Sequence, residues 1–108
     1  MKLSDDQFDK IADAELHALE SALLVCDPDE LEVELSSGVL TLTLADDDKV
    51  VINSHRAAGE IWMAAFRNAW HFRPVDESGK TLWRTTKDEL RSTLRSLLSE
   101  KLGHSVEV

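Results

Sequence analysis

The sequence predicts an α+β sandwich in which two helices pack on one face of an antiparallel sheet. Near each end of the chain, apolar residues recur at three- and four-residue spacing, as on one side of a helix. Between these two stretches, apolar and polar residues alternate with the period of a strand, and the connections are too short for parallel crossovers. With 108 residues, we expect one domain spanning residues 1–108 around one core.

The first helix is predicted to begin after Ser4, because a serine followed by two acids and Gln7 is typical of an N-cap. The segment Cys26–Asp29 is predicted to end this helix. The apolar stripe that would face the sheet consists of Phe8, Ile11, Ala12, Leu16, Leu19 and Leu23.

Three strands follow and form a meander with one apolar face. They cover residues 31–36, 40–44 and 49–53. The next stretch, Ser54–Phe72, is ambiguous, because its alanines favour a helix. The alternative is a pair of strands at 61–63 and 69–72 joined by a turn at Arg67-Asn68, and we choose it on the family resemblance given below.

The remainder of the chain is predicted to be a loop, a short apolar segment and a second helix. Pro74–Lys80 is assigned to the loop, and Trp83 begins the apolar segment. Thr86–Glu89 matches a capping box before an apolar stripe of leucines, and Gly103 is the expected C-terminal cap.

The net charge of −9 comes from 21 acids and 12 bases, and it is unevenly distributed. Residues 1–50 hold 14 acids and three bases, whereas residues 51–108 hold seven acids and nine bases. This acidity argues against nucleic acid and anionic membranes as partners and favours cations and basic proteins. No apolar run reaches the roughly 20 residues of a membrane span, and no signal peptide is recognisable, so we expect a cytoplasmic protein with its one cysteine reduced.

One face of the first helix is predicted to be acidic, because Asp6, Asp9, Asp13, His17 and Glu20 follow steps of three and four residues. The carboxylates repel one another, and a cation, a basic partner or plain solvation would each account for them. The negative charge continues through Asp27, Asp29, Glu30, Glu32 and Glu34, with Asp46–Asp48 as a further acidic turn. Oxygen ligands of this kind suit hydrated, weakly bound divalent cations.

No pattern in the sequence indicates an enzyme. A GxSxG motif is absent, the four glycines are isolated in turns, and the acids near Cys26 would raise the pKa of its thiol. Of the three tryptophans, Trp70 and Trp83 are expected in the core. Trp62 is expected on the opposite, exposed face of the sheet, where it would be an anchor for a protein partner.

The ordered set of motifs along nearly the whole chain resembles the bacterial branch of the frataxin family. Its pieces are Phe8-x-x-Ile11-Ala12-Asp13, Ser37–Thr43, Lys49–Asn53, Ile61–Ala64, His71-Phe72 and Gly79-x-x-Leu82-Trp83. The resemblance implies a frataxin-like sandwich and a role in iron–sulfur cluster assembly. It further implies weak iron binding and a partner complex of cysteine desulfurase and scaffold protein. The chain departs from the family at Ser21–Cys26, which is poor in acids, and at Arg56–Glu60, which replaces the family's Pro and Gln.

The resemblance together with the acidic helix face defines a candidate metal-binding surface, called the acidic ridge below. It consists of Asp9, Asp13, His17, Glu20, Asp29, Glu30, Glu32 and Glu34. Trp62, Glu20 and Glu32 are the candidate contacts for the partner. We expect a monomer, with metal-driven oligomers as a further possibility. The alternatives are an acidic interaction module without a metal role and an iron-storage or ferroxidase protein, although the Glu-x-x-His repeats of di-iron bundles are missing.

Overall fold

The computed structural model describes residues 3–108, and within them a long helix is followed by six strands and a second helix. The elements are α1 (Asp5–Leu23), β1 (Leu31–Ser36), β2 (Val39–Leu44), β3 (Lys49–His55), β4 (Glu60–Ala65), β5 (Asn68–Glu77), β6 (Lys80–Arg84) and α2 (Leu90–Leu102). A 3-10 turn, Arg56–Ala58, joins β3 to β4. None of the helices in this described part is long and apolar enough to cross a membrane.

The six strands form one sheet in the order β1-β2-β3-β4-β5-β6, and all neighbours are antiparallel. Each strand therefore pairs with the next one along the chain, which confirms the predicted meander. Alternate residues face the helices, and one inward row runs through Leu35, Leu40, Ile52 and Met63. Because side chains alternate between the faces, the outer face carries the polar residues.

The core lies between this inward face and the two helices. From α1 it takes five members of the predicted stripe, and from α2 it takes three leucines. Ile11, the sixth member of the α1 stripe, is only half-buried and packs at the border of the core. The fold is thus an α+β sandwich with both helices on one face of the sheet, which confirms the predicted fold class.

The start of α1 agrees with the prediction, but its end comes earlier. The Ser4 hydroxyl accepts a hydrogen bond from the Gln7 amide, and the Gln7 side chain accepts one from the Ser4 amide. This reciprocal capping satisfies two amides that have no partner within the helix. The helix ends at Leu23 rather than at Cys26, and Leu24 and Val25 after it are exposed.

The ambiguous stretch Ser54–Phe72 forms strands, as the family resemblance implied and against its helical propensity. The position of the turn was predicted wrongly, because Phe66 and Arg67 occupy it and Asn68 already begins β5. Both turn residues have positive φ, 50° and 72°, which suits a two-residue hairpin whose twist matches the strands. The alanines at 57 and 58 do adopt helical geometry, within the 3-10 turn.

The predicted loop at Pro74–Lys80 is wrong, because β5 continues to Glu77 and pairs with β6. The hairpin turns at Ser78-Gly79, both with positive φ. Pro74 is tolerated here because β4 pairs with β5 only as far as Phe72, so this part of β5 has one neighbouring strand.

The predicted capping box of α2 is also wrong, because Glu89 itself is the N-cap. Its carboxylate accepts hydrogen bonds from the amides of Arg91 and Ser92. The hydroxyl that bonds to the preceding turn belongs to Thr85, one residue before the predicted cap. Gly103 caps the C-terminus with φ of 79°, as predicted.

Candidate metal- and partner-binding surface

The α1 part of the acidic ridge lies on the side of the helix that faces away from the sheet. Asp13 and His17 are exposed there, and Glu20 is half-buried. His17 Nδ1 lies 3.7 Å from Glu20 Oε1, so the structure brings these two predicted ligands together. A carboxylate beside an imidazole, one turn apart on a helix, offers a cation mixed oxygen and nitrogen donors.

Asp9 of the acidic ridge already forms an ion pair with a basic side chain of the protein. The Arg56 guanidinium, in the 3-10 turn before β4, donates to both carboxylate oxygens. This hydrogen bonding lowers the pKa of the Asp9 carboxyl. Asp9 was predicted as a metal ligand, and a metal ion there would have to compete with Arg56. The departure from the family pattern at Arg56–Glu60 therefore has a structural consequence for the helix face.

The second part of the acidic ridge lies on the turn before β1 and on β1 itself. Glu32 and Glu34 are exposed on the outer face, opposite Thr43 and Thr41 of β2. Glu30 is engaged by the C-terminal segment, since its Oε2 lies 2.8 Å from His104 Nε2. This hydrogen bond raises the pKa of the His104 imidazole.

The acidic turn Asp46–Asp48 is partly neutralised by α2. Lys101 Nζ lies 2.8 Å from Asp46 Oδ2 and 2.7 Å from Asp48 Oδ2. The hydrogen bond from Lys101 lowers the pKa of the Asp46 carboxyl. The same ammonium lies 5.2 Å from the centroid of the Phe66 ring, a cation–π distance. This turn thus helps to fix the end of α2, and one lysine offsets only part of the charge of its three aspartates.

Four carboxylates of the acidic ridge have no counter-ion among the described residues. Among residues 3–108, no lysine, arginine or histidine forms an ion pair with Asp13, Asp29, Glu32 or Glu34. In the same described range, no three His, Cys, Asp or Glu side chains are grouped closely enough to hold one ion. The arrangement therefore suits hydrated cations held by one or two carboxylates each, with waters completing the coordination.

Glu15 is an acid of α1 that the sequence analysis did not single out. It lies on the buried side of the helix, and its carboxylate binds the Arg91 guanidinium of α2 at 2.8 and 2.9 Å. The bond to Glu15 raises the pKa of Arg91. The only sequence signal is that Glu15 directly precedes Leu16 of the apolar stripe. This ion pair fixes α1, and with it the acidic ridge, against α2.

Trp62 points to the outer face of the sheet, as predicted, but it is half-buried rather than exposed. Its indole is stacked between two imidazoles, with ring centroids 3.8 Å from His55 and 4.3 Å from His71. Trp62 and His71 are register partners on β4 and β5, which explains their contact. Stacking on both sides holds the indole in one orientation.

Glu60 completes this aromatic group through hydrogen bonds. One oxygen accepts the indole N–H of Trp62 at 2.9 Å, and the other accepts Arg73 Nε at 3.1 Å. Burial disfavours the charged carboxylate, but these two donors outweigh it and lower the pKa of Glu60. His55, Glu60 and Arg73 were missed in the sequence, because their roles depend on cross-strand pairing.

The other two tryptophans and the cysteine agree with their predicted roles. Trp83 is buried and meets Phe8 edge-to-face at 5.9 Å, and Trp70 is half-buried against the core. Burial, followed by the charge of Glu30, raises the pKa of the Cys26 thiol. A raised pKa leaves little thiolate near neutral pH, so Cys26 is a poor nucleophile.

The protein is thus a small α+β sandwich. It carries the acidic ridge on α1 and β1, and its outer sheet face carries a tryptophan held in one orientation. A family model described as "Frataxin-like domain" matches residues 1–108. An iron-sulfur cluster assembly protein CyaY from Dechloromonas aromatica is 37% identical over 107 residues, which cover 96% of this chain and 97% of the relative. The chain therefore belongs to the frataxin-like family.

Solved structures of frataxins share the fold. A frataxin from Psychromonas ingrahamii superposes with a TM-score of 0.82 at 20% identity, covering 97% of both chains. A trimeric frataxin from the yeast Saccharomyces cerevisiae, complexed with ferrous iron, superposes with a TM-score of 0.60 at 24% identity, covering 95% of this chain and 89% of the yeast chain. At these identities the likeness establishes the architecture.

Proposed function

We propose that this protein is a non-enzymatic, iron-binding regulator of iron–sulfur cluster assembly in the bacterial cytoplasm. The observation that carries the proposal is the set of uncompensated carboxylates at Asp13, Asp29, Glu32 and Glu34 within the acidic ridge. The CyaY relative, which is named for iron–sulfur cluster assembly, supplies the process.

In this proposal, ferrous or ferric iron binds weakly along the acidic ridge as cargo, and other divalent cations compete for it. Carboxylate oxygens are hard ligands, and His17 beside Glu20 adds a nitrogen donor that favours a transition metal over Mg²⁺. Asp9 and Glu30 contribute less, because Arg56 and His104 already bind them. Iron on single carboxylates exchanges quickly, which suits transfer or sensing better than storage.

The proposed protein partner is the complex of cysteine desulfurase and scaffold protein. Glu20 and Glu32 on the acidic ridge would contact a basic surface of that complex, and the opposite charges on the two approaching faces would speed their encounter. Trp62 supplies the desolvated contact, and its stacked orientation reduces the entropy lost on binding. The working form is a monomer, and iron-driven oligomers would form by neutralising the acidic ridge.

The metal role is tested by ¹⁵N NMR titration with Fe²⁺ under anaerobic conditions, with Mg²⁺ as the control for charge screening. We expect Fe²⁺ to broaden amides of α1 and β1 near the acidic ridge, and Mg²⁺ to do so less. A variant with Asp13→Asn, Asp29→Asn, Glu32→Gln and Glu34→Gln should lose this response. The matched control carries four changes at exposed acids elsewhere, and it should keep the response: Asp76→Asn, Asp88→Asn, Glu100→Gln and Glu107→Gln.

The partner role is tested by measuring the affinity of both variants for the desulfurase–scaffold complex. We expect the acidic-ridge variant to bind at least about tenfold more weakly, and the control variant to bind as the unchanged protein does. If Fe²⁺ acts no more strongly than Mg²⁺ but desulfurase binding depends on the acidic ridge, the protein is an acidic docking module without a metal role. If neither response depends on the acidic ridge, the proposal is wrong.

A further inference from the structure

The open edge of β1 and the turn after α1 form an apolar surface that the proposed iron role does not use. β1 is an edge strand, since it pairs only with β2. Val33 and Leu35 on its inward face are half-buried, whereas their register partners Leu42 and Leu40 are completely buried. An edge strand also presents backbone N–H and C=O groups that can pair with a further strand.

The turn after α1 extends this surface beyond the strand. Leu24 and Val25 are 60% and 83% exposed, which makes them the most exposed large apolar side chains in residues 3–108. A groove of about 350 Å³ runs from Leu24 past Cys26 and Pro28 to Val33. Leu24 and Val33 thus line one continuous apolar groove beside the free edge.

The charges on β1 indicate what can bind at this edge. Glu32 and Glu34 alternate with Val33 and Leu35 and point to the outer face. A second copy of β1 paired here would bring carboxylates close to carboxylates, which is unfavourable across a pair of strands. The net charge of −9 disfavours the same pairing. A strand with basic residues at alternate positions would instead complement both faces.

We propose that the β1 edge binds an extended segment of a partner protein in which Lys or Arg alternates with Val, Ile or Leu. The segment adds a seventh strand to the sheet, with its backbone paired to β1. Its basic side chains lie beside Glu32 and Glu34, and its apolar side chains continue the row of Val33 and Leu35. One apolar side chain enters the groove next to Leu24. This site shares Glu32 and Glu34 with the acidic ridge, but it goes beyond the proposed function because it requires neither iron nor Trp62.

The probe for this site is a capped peptide in which Lys and Val alternate. It has about seven residues, which is within the usual length of a strand. A version of it that is N-methylated at every residue has the same charge but cannot donate backbone hydrogen bonds to β1 from either edge. We expect the first peptide to shift amides of 23–26 and 31–36 and to slow hydrogen exchange on β1. The N-methylated peptide should bind at least about tenfold more weakly.

Leu24→Asp separates apolar contact from charge, because it removes the side chain in the groove while adding a negative charge. We expect it to weaken binding of the Lys-Val peptide about tenfold or more. Val75→Asp is the matched control, since Val75 is 39% exposed on β5 and the change adds the same charge. It should leave the affinity unchanged or slightly higher.

Three results would overturn the proposal. Equal binding of both peptides would mean that charge alone attracts them. Binding that Leu24→Asp leaves intact or strengthens would exclude the groove. Self-association of the protein that is lost in Leu24→Asp, measured by sedimentation, would make a second copy the occupant. Because Leu24→Asp retains all of the acidic ridge and adds one carboxylate beside it, its response to Fe²⁺ should be at least as strong as that of the unchanged protein, so the two proposals can fail separately.

Discussion

Arg91→Met is expected to destabilise the fold strongly, because it leaves the Glu15 carboxylate without its partner. The Glu15 side chain is only 8% exposed and bonds to Arg91 at 2.8 and 2.9 Å. Breaking a fully buried ion pair costs about 3–5 kcal/mol, whereas an exposed pair is worth less than about 1 kcal/mol. The Arg91 side chain is 41% exposed, so water reaches this pair from one side and we expect an intermediate loss of about 2 kcal/mol.

The free energy of unfolding is measured by urea denaturation, and a loss of about 2 kcal/mol corresponds to a fall of roughly 10 °C in Tm for a domain of this size. The double variant Glu15→Met, Arg91→Met should recover most of the loss, because no buried charge remains. Arg95→Met is the control, since Arg95 is exposed and bonds only to the Val108 carbonyl. A loss below about 0.5 kcal/mol in Arg91→Met would refute the reasoning, as would a double variant no more stable than the single one.

Three further predictions concern the turns and the two titratable groups beside Glu30. Gly38→Ala should lower the free energy of unfolding by about 1–2 kcal/mol, and by more than Gly79→Ala does in the same denaturation assay. Both glycines have positive φ, but only at Gly38 would the new Cβ meet a side chain, 2.9 Å from Ser54 Oγ. Equal losses would contradict this. The raised pKa of His104 means that its contribution to stability is present below about pH 6.5 and is lost as pH rises through the folded value. The Tm difference between the unchanged protein and His104→Gln should therefore shrink from about pH 6 to about pH 8, and a constant difference would count against the bond to Glu30. Cys26 should react with iodoacetamide more slowly in the folded protein than in urea, because its thiol pKa is raised by burial and by Glu30, and equal rates would argue against this.

Local sequence patterns predicted the parts of the fold that local physics determines. The capping of α1 at Ser4, its apolar stripe and the meander of β1 to β3 depend on neighbours within a few residues. The strands β4 and β5 could not be predicted in this way, because their alanines favour a helix and only pairing with β3 and β6 makes them strands. The fold class of this stretch was predicted through the family resemblance.

The candidate site could be predicted as a composition but not as a set of contacts. The acidic residues are visible in the sequence, but the cations that neutralise some of them are distant along the chain. Arg56 is 47 residues from Asp9, and His104 is 74 residues from Glu30. The stack around Trp62 likewise requires the register that pairs Trp62 with His71. Spacing rules for a single helix or strand do not contain these contacts.

The internal ion pairs decide where the protein can attract a cation or a basic partner. Arg56, Lys101 and His104 all come from the half of the chain that carries the excess of bases, and each binds an acid from the other half. They offset charge at Asp9 of α1, at the Asp46–Asp48 turn and at Glu30. Within the acidic ridge, the carboxylates left without an ion pair among the described residues are Asp13 on α1, Asp29 before β1, and Glu32 and Glu34 on β1. Because β1 is also the open edge of the sheet, the charges of Glu32 and Glu34 lie where the backbone and the half-buried Val33 and Leu35 are free to make contact.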